Sequence, residues 1–245
     1  MWQSIEAVPI AVDTRVEPAR AAAIRDALLS RVVPIAGIVD GRAEPRGTGA
    51  LLRRGTQTWL ITAAHVLDGI AVGDIAIPSG ARGGAWMTLG RCRPRVLVHP
   101  RGDVALISIT GDDKLHGWIT IDSDDLFSRP TSARHHVIAG YPSAQMHRID
   151  GVLYAKPVVL FTRAIAVGTY LYSRLAERMD GMTIHSPALD GVSGAVVWAI
   201  EGVSDGARGC TLVPCGIQVA FRHNAHVRSE SIALTRELLA QAMIH

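Results

Sequence analysis

Beyond residue 31, apolar residues come in short bursts, each broken off by Gly, Pro, Arg or Asp. Val32–Val39, Gly49–Leu52, Thr58–Thr62, Ile75–Ile77, Trp86–Leu89, Val96–His99, Val104–Ile109 and Trp118–Ile121 are all of strand length. Segments this short, this closely spaced and divided by turn residues predict a β-sandwich or barrel. The alternation of strand and helix that a parallel α/β sheet requires is missing. Asp122–Arg134, with Asp124-Asp125, Pro130 and several Ser and Thr, predicts a linker. Strand-like runs resume at His136–Ala139, Val152–Tyr154, Val158–Val167, Gly194–Ile200 and Thr211–Phe221.

Two stretches change period. Ala19–Leu29 mixes Ala and Leu with interspersed charges and follows Glu17-Pro18, a suitable helix start. Ser229–Ile244 predicts a closing helix: Ser229 is placed to cap it, and Ile232, Leu234, Leu238, Leu239 and Met243 form one apolar stripe. No internal repeat or low-complexity tract interrupts the pattern. The expected organisation is an N-terminal helical extension over 1–31, a first β-barrel over 32–128, and a second over 129–245 that ends in the C-terminal helix.

Composition supports a packed globule. Of 245 residues, 48% are hydrophobic and 19% charged, too apolar for a disordered chain. No apolar run reaches the roughly 18 to 20 residues that span a bilayer. The N-terminus, Met1-Trp2-Gln3-Ser4-Ile5-Glu6, has no basic start and does not read as a secretory signal. Cys92, Cys210 and Cys215 are too few and too odd in number for a disulfide framework. Reduced thiols and a cytoplasmic location follow, with a Cys210–Cys215 hairpin bridge as the lesser alternative. A formal charge of +3 is mild. Its one cluster, Arg91, Arg93 and Arg95, alternates as a solvated strand face would, and neither nucleic acid nor membrane is an expected partner. His135-His136 lacks metal-ligand spacing, and no Gly-rich phosphate loop precedes a Lys, so no metal or cofactor is expected.

Three segments carry candidate chemistry. In Trp59-Leu60-Ile61-Thr62-Ala63-Ala64-His65, a buried strand runs into small residues and then an imidazole at the mouth of the core. In Gly102-Asp103-Val104-Ala105-Leu106, a carboxylate opens an apolar strand, where it must be hydrogen-bonded. In Asp190-Gly191-Val192-Ser193-Gly194-Ala195, a serine occupies a glycine-flanked turn ahead of another strand. Taken singly, each has an ordinary structural explanation. Their order is the informative feature: His, Asp, Ser, spaced 38 and 90 residues apart, with the first two in the front half and the serine in the back half. That order is one of the known solutions to the nucleophilic triad.

On Thr62-Ala63-Ala64-His65, Asp103-Val104-Ala105-Leu106 and Gly191-Val192-Ser193-Gly194, residues 32 to 224 resemble the trypsin/chymotrypsin-like serine proteases in their bacterial, disulfide-poor form. The resemblance implies an all-β fold of two antiparallel Greek-key six-stranded barrels with a cleft between them. Gly140-Tyr141-Pro142 looks like the end of the second barrel's first strand. It implies a serine endopeptidase acting on protein or peptide substrates. Ser193 would attack the carbonyl, His65 would take its proton, and Asp103 would fix the imidazole tautomer. The backbone N–H groups of Gly191 and Ser193 would hold the developing oxyanion.

The chain departs from the animal members in two places. The residue before the nucleophile is Val192 where they carry Asp, and no Ile-Val-Gly-Gly start lies near Val32, so activation by a newly cut N-terminus is not expected. The oxyanion loop must be shaped by packing, around the 31-residue leader or an activating protein partner. The second residue after the serine is Ala195 where they carry Gly. By the same resemblance, the primary pocket has Pro187 at its base and Gln218, Ala220 and Phe221 along one wall. Pro187 offers no carboxylate for a basic side chain; a small or apolar side chain is one expectation, and an acidic one, through His185, the other.

Two rival readings stand beside this one. A catalytically inactive or latent binding module on the protease fold would treat Val192 and Ala195 as marks of decay, although all three triad residues are retained. A serine esterase of the α/β-hydrolase type would need Gly-x-Ser-x-Gly, which Ala195 breaks, and an acid and His after the serine, for which only Asp205 with His223 or His226 is available.

Overall fold

Among the described residues, every long strand is paired on both sides, which is how a chain rich in short apolar runs disposes of sheet edges. The computed structural model describes residues 1–4, 8–10, 18–92, 94–109, 115–126, 133, 135–167, 170–174, 178–179, 182–183, 189–201, 211–222 and 226–242. In the front half, Val33–Val39, Arg42–Arg54 and Gln57–Thr62 form a three-stranded meander, each strand antiparallel to the next. The chain then crosses back, so that Ile75–Pro78 pairs with Val33–Val39 rather than with the strand just before it. Residues 86–98 close the ring. Trp86–Thr88 pairs with Ile75–Pro78, the 3₁₀ turn Leu89–Cys92 breaks the run, and Val96–Val98 pairs with Ala105–Ile109, which returns to Gln57–Thr62. With that broken run counted once, the front sheet is a closed six-stranded antiparallel barrel.

The back half repeats the same pairing. His135–Gly140, Val158–Val167 and Tyr170–Arg174 form the meander. Val196–Glu201 returns to His135–Gly140, Thr211–Arg222 pairs with it, and His226–Ser231 closes onto Tyr170–Arg174. The two halves therefore share one Greek-key topology, strand for strand. Short parallel strands, Ile121–Asp122 on Arg42–Arg54 and Val8–Ile10 on Val158–Val167, bring the two sheets to eight and seven strands. The expected all-β, two-barrel fold with an N-terminal helix (Pro18–Leu29) and a C-terminal helix (Ile232–Ala242) is the fold observed.

Several local expectations need correction. The C-terminal helix starts at Ile232, not Ser229: Ser229 is fully buried in the strand His226–Ser231, opposite Gln218 and Leu171, and the Ser231 hydroxyl accepts from the Ala233 N–H (3.2 Å). The polar stretch Arg42–Thr48 is strand rather than turn, because the ladder to Val33–Val39 supplies its hydrogen bonds whatever its side chains. Arg91 lies in the 3₁₀ turn, so no alternating arginine strand face forms, and Arg93 lies outside the described residues. The Arg95 guanidinium instead donates to the Ala242 carbonyl (3.1 Å) while Arg54 donates to that of Leu239 (3.1 Å). Two cations thus cover the orphan carbonyls at the C-terminal end of the closing helix. Within the expected linker, Ser123–Leu126 is a short helix, and residues 127–132 and 134 lie outside the described ones. Cys215 is a free thiol that burial pushes up to about 12, so it stays protonated, and Cys210 lies outside the described residues. Among the described residues no helix is long and apolar enough to cross a membrane.

Candidate active site

Strand register assembles the first two residues. In the antiparallel pair Gln57–Thr62 and Ala105–Ile109, Thr62 lies opposite Ala105. The chain leaving at Thr62 and the chain entering at Ala105 therefore meet at one end of the barrel, where His65 follows three residues after Thr62 and Asp103 precedes Ala105 by two. His65 rides on the 3₁₀ turn Ala64–Leu67, anchored below by the buried Val66. Its Nδ1–H donates to Asp103 Oδ2 (2.7 Å) and its backbone N–H to Asp103 Oδ1 (2.9 Å).

These bonds set the protonation states. Burial raises the Asp103 pKa, but hydrogen bonds from the His65 ring, from its backbone and from Ala64 outweigh it and hold the carboxyl below its ordinary range. The Asp103 hydrogen bond raises the His65 pKa above 6.5, against partial burial. An ionised carboxylate only accepts, so His65 Nδ1 carries the proton and the neutral ring turns the Nε2 lone pair outward as a base. The His65 side chain is 42% exposed and that of Asp103 26%, an open position for a proton-transfer pair.

Ser193 arrives from the other barrel. Its loop winds through two tight turns, Val192 N–H to Leu189 O (2.9 Å) and Ala195 N–H to Val192 O (3.0 Å). It is locked to strand Thr211–Arg222 by Gly194 N–H to Gln218 O and Gln218 N–H to Ala195 O, both 2.8 Å. The Ser193 carbonyl accepts from the Thr48 N–H of the first barrel (2.8 Å). Gly194 lies so tightly against Thr48 and Thr62 that an added Cβ would overlap both, and it would stand 3.0 Å from Ala63 N. The Ser193 loop is thus wedged against the residues leading into His65. Ser193 is partly exposed, and its hydroxyl has no hydrogen-bond partner among the described residues. The structure joins His65 to Asp103 by two hydrogen bonds and sets the backbone of the Ser193 loop against Thr48, Thr62 and Ala63, just ahead of His65; no hydrogen bond links Ser193 to His65 among the described residues. In many unliganded hydrolases such a bond tightens only with substrate present.

The N–H groups expected as oxyanion donors are oriented by peptide geometry. The Asp190 carbonyl accepts from the Ser143 N–H (2.7 Å). Since a trans peptide points its C=O and N–H in opposite directions, the Gly191 N–H faces away from Ser143. Neither the Gly191 nor the Ser193 N–H has a partner among the described residues, leaving two free donors flanking Val192. Gly191 has φ +92°, and a Cβ there would meet Ser143 Oγ at 2.5 Å and Tyr141 O at 2.8 Å, so only glycine fits. Val192 is buried among Ile138, Leu189, Ala195 and Val197, with its methyl group against Gly140. Apolar packing holds this position.

Of the expected pocket residues, Pro187 lies outside the described ones, as does His185. Ala220 and Phe221 are partly exposed, whereas Gln218 is buried at 1% and presents mainly its backbone to the nucleophile loop. Two residues that the sequence reading passed over also bear on the site. Thr48 is fully buried and touches Gly191, Ser193, Tyr141 and Thr62, and Ser143 sets the Asp190–Gly191 peptide. Glycines on both sides of Thr48 inside a strand were the available signal, since strand glycines mark the close approach of another backbone. Among the described residues no group of three or more His, Cys, Asp and Glu side chains is placed to hold a metal ion.

No protein-family model matches the chain, and no curated protein matches it. Among solved structures, it is similar to the serine protease of a human pathogenic astrovirus, at 18% identity and TM-score 0.46, covering 83% of this chain and 90% of that one. It is also similar, at 14% identity and TM-score 0.49, covering 86% and 90%, to a chain from a study of how aromatic interactions drive coupled folding and binding of the Sesbania mosaic virus VPg protein.

Proposed function

We propose that the protein is a serine endopeptidase in which His65, Asp103 and Ser193 form the catalytic triad. The observation that supports this reading is the doubly bonded His65–Asp103 pair on the barrel to which the Ser193 loop is hydrogen-bonded through Thr48. His65 Nε2 removes the Ser193 proton as Oγ attacks the substrate carbonyl; the imidazolium is held by Asp103, and the Gly191 and Ser193 N–H groups receive the negative oxygen. Proton return from His65 to the leaving amine leaves an acyl-enzyme, and the same base activates the water that hydrolyses it. The partly exposed Ala220 and Phe221 supply an apolar wall for the side chain preceding the cut bond.

A fluorophosphonate probe tests the assignment on purified wild type, Ser193→Ala and His65→Ala. Covalent labelling of the wild type only, together with hydrolysis of a denatured protein substrate, is the expected result. Labelling that persists in Ser193→Ala assigns the nucleophile elsewhere, and a folded wild type that takes no label points to a binding module.

A further inference from the structure

The protease reading leaves open what keeps the Gly191 and Ser193 N–H groups aimed at one point. The weak part is the Asp190–Gly191 peptide. Turning it over would replace the Gly191 N–H with a carbonyl oxygen, and Gly191 has no side chain to resist the turn. Val192 packs against Gly140 but is apolar and offers the loop no hydrogen bond from its side chain. Beyond the loop's own turn bonds, Val192 N–H to Leu189 O and Ala195 N–H to Val192 O, polar restraint comes from residues outside it.

Resting on that reading, we propose that Thr48 is the positioning residue that holds the oxyanion donors in place, through its hydroxyl on one side of the nucleophile and its backbone on the other. Thr48 Oγ1 accepts from the Tyr141 N–H (3.0 Å) and lies 2.7 Å from the Gly191 carbonyl. A hydroxyl has a single proton, and Tyr141 already donates to the oxygen, so that proton goes to Gly191 O. The Thr48 N–H donates to the Ser193 carbonyl (2.8 Å), and the Thr48 carbonyl accepts from Thr62 Oγ1 (2.9 Å). The carbonyls of Gly191 and Ser193 are therefore both tied to one fully buried residue of the first barrel. Ser143, holding the Asp190 carbonyl at 2.7 Å, supplies the third tie. With these carbonyls fixed, the peptides that follow Gly191 and Ser193 are held, which limits the movement of the Gly191 and Ser193 N–H groups, neither of which has a partner among the described residues. Thr48 touches no substrate atom; it acts through the loop.

The test compares Thr48→Val, which removes the hydroxyl at nearly constant volume, with Thr48→Ala and Thr48→Ser. Fluorophosphonate labelling is measured over a range of probe concentrations, so that the limiting rate and the half-saturating concentration separate, and folding is checked by near-ultraviolet circular dichroism. The expected result is a limiting rate reduced by about 10- to 100-fold in Val and Ala, half-saturation changed by less than about threefold, and Ser within about threefold of wild type in both. Ala serves if Val does not fold. A folded Val or Ala variant that labels at the wild-type limiting rate, or a loss not restored in Ser, overturns the assignment of Thr48 alone. A wild type that takes no label removes the protease reading, and this proposal with it.

Discussion

His65 shows how a single contact decides both orientation and titration. The Asp103 carboxylate accepts the Nδ1 proton at 2.7 Å, turning Nε2 outward and raising the pKa of the ring above 6.5. Catalysis needs the neutral ring, so the labelling rate should rise with pH and reach half its maximum above pH 6.5. Asp103→Asn should lower the plateau by about 10³- to 10⁴-fold, because an amide no longer dictates the tautomer. A rate flat from pH 5.5 to 8.5 in wild type would count against an imidazole base. His65, Asp103 and Ser193 were legible in the sequence because each terminates or opens an apolar strand. Thr48 was not, because its role lies in contacts with residues more than 90 positions away, Tyr141 and Gly191.

Among the elements, strand His135–Gly140 places His136 almost wholly inside the second barrel, at 3% exposure. Burial, aided by the neighbouring charge of His135, lowers its pKa to about 4. Between pH 6.5 and about 4 the unfolded chain takes up a proton that the folded one refuses. The stabilisation is complete above pH 6.5 and is lost as pH falls through that window, by roughly 3 kcal/mol at most. Denaturant midpoints measured from pH 7 to 4.5 should fall more steeply in wild type than in His136→Leu; parallel slopes would refute the linkage. The same scale explains the misplaced helix start. His226–Ser231 is polar and reads as an approach to a helix, yet Thr211–Arg222 and Tyr170–Arg174 each need a partner on their inner edges, and this stretch closes the ring between them.

In the whole molecule, the N-terminus is part of the structure rather than an attachment to it. Trp2–Ser4 runs antiparallel to Gly83–Gly84 of the front half and parallel to Val152–Ala155 of the back half. The Trp2 side chain, 2% exposed, stacks on Trp118 (6.3 Å between centroids), meets Tyr141 edge-on (5.7 Å) and donates from Nε1 to the Gly80 carbonyl (3.1 Å). Trp2→Ala should therefore cost about 3–5 kcal/mol of unfolding free energy. A denaturant midpoint unchanged from wild type would show that this aromatic cluster bears no load between the halves. Tyr141 is also the residue whose N–H donates to Thr48, so the cluster abuts the frame of the site.

The sequence by itself determined the β-rich class, the position of most strands and the order of the three candidate catalytic residues, because these depend on local patterning and on residue type. Tertiary structure decided the rest. The shared pairing scheme of the two halves was expected from the family resemblance alone; the apolar pattern does not carry it, since its strands have in common only the need to be apolar on alternate positions. Whether a polar stretch such as Arg42–Thr48 or His226–Ser231 becomes strand depends on which backbones lie beside it, and backbone hydrogen bonding does not depend on side-chain identity. The Asp190–Gly191 peptide is held by Ser143, distant in sequence, and the Gly191 carbonyl receives the Thr48 hydroxyl only once the two halves pack together.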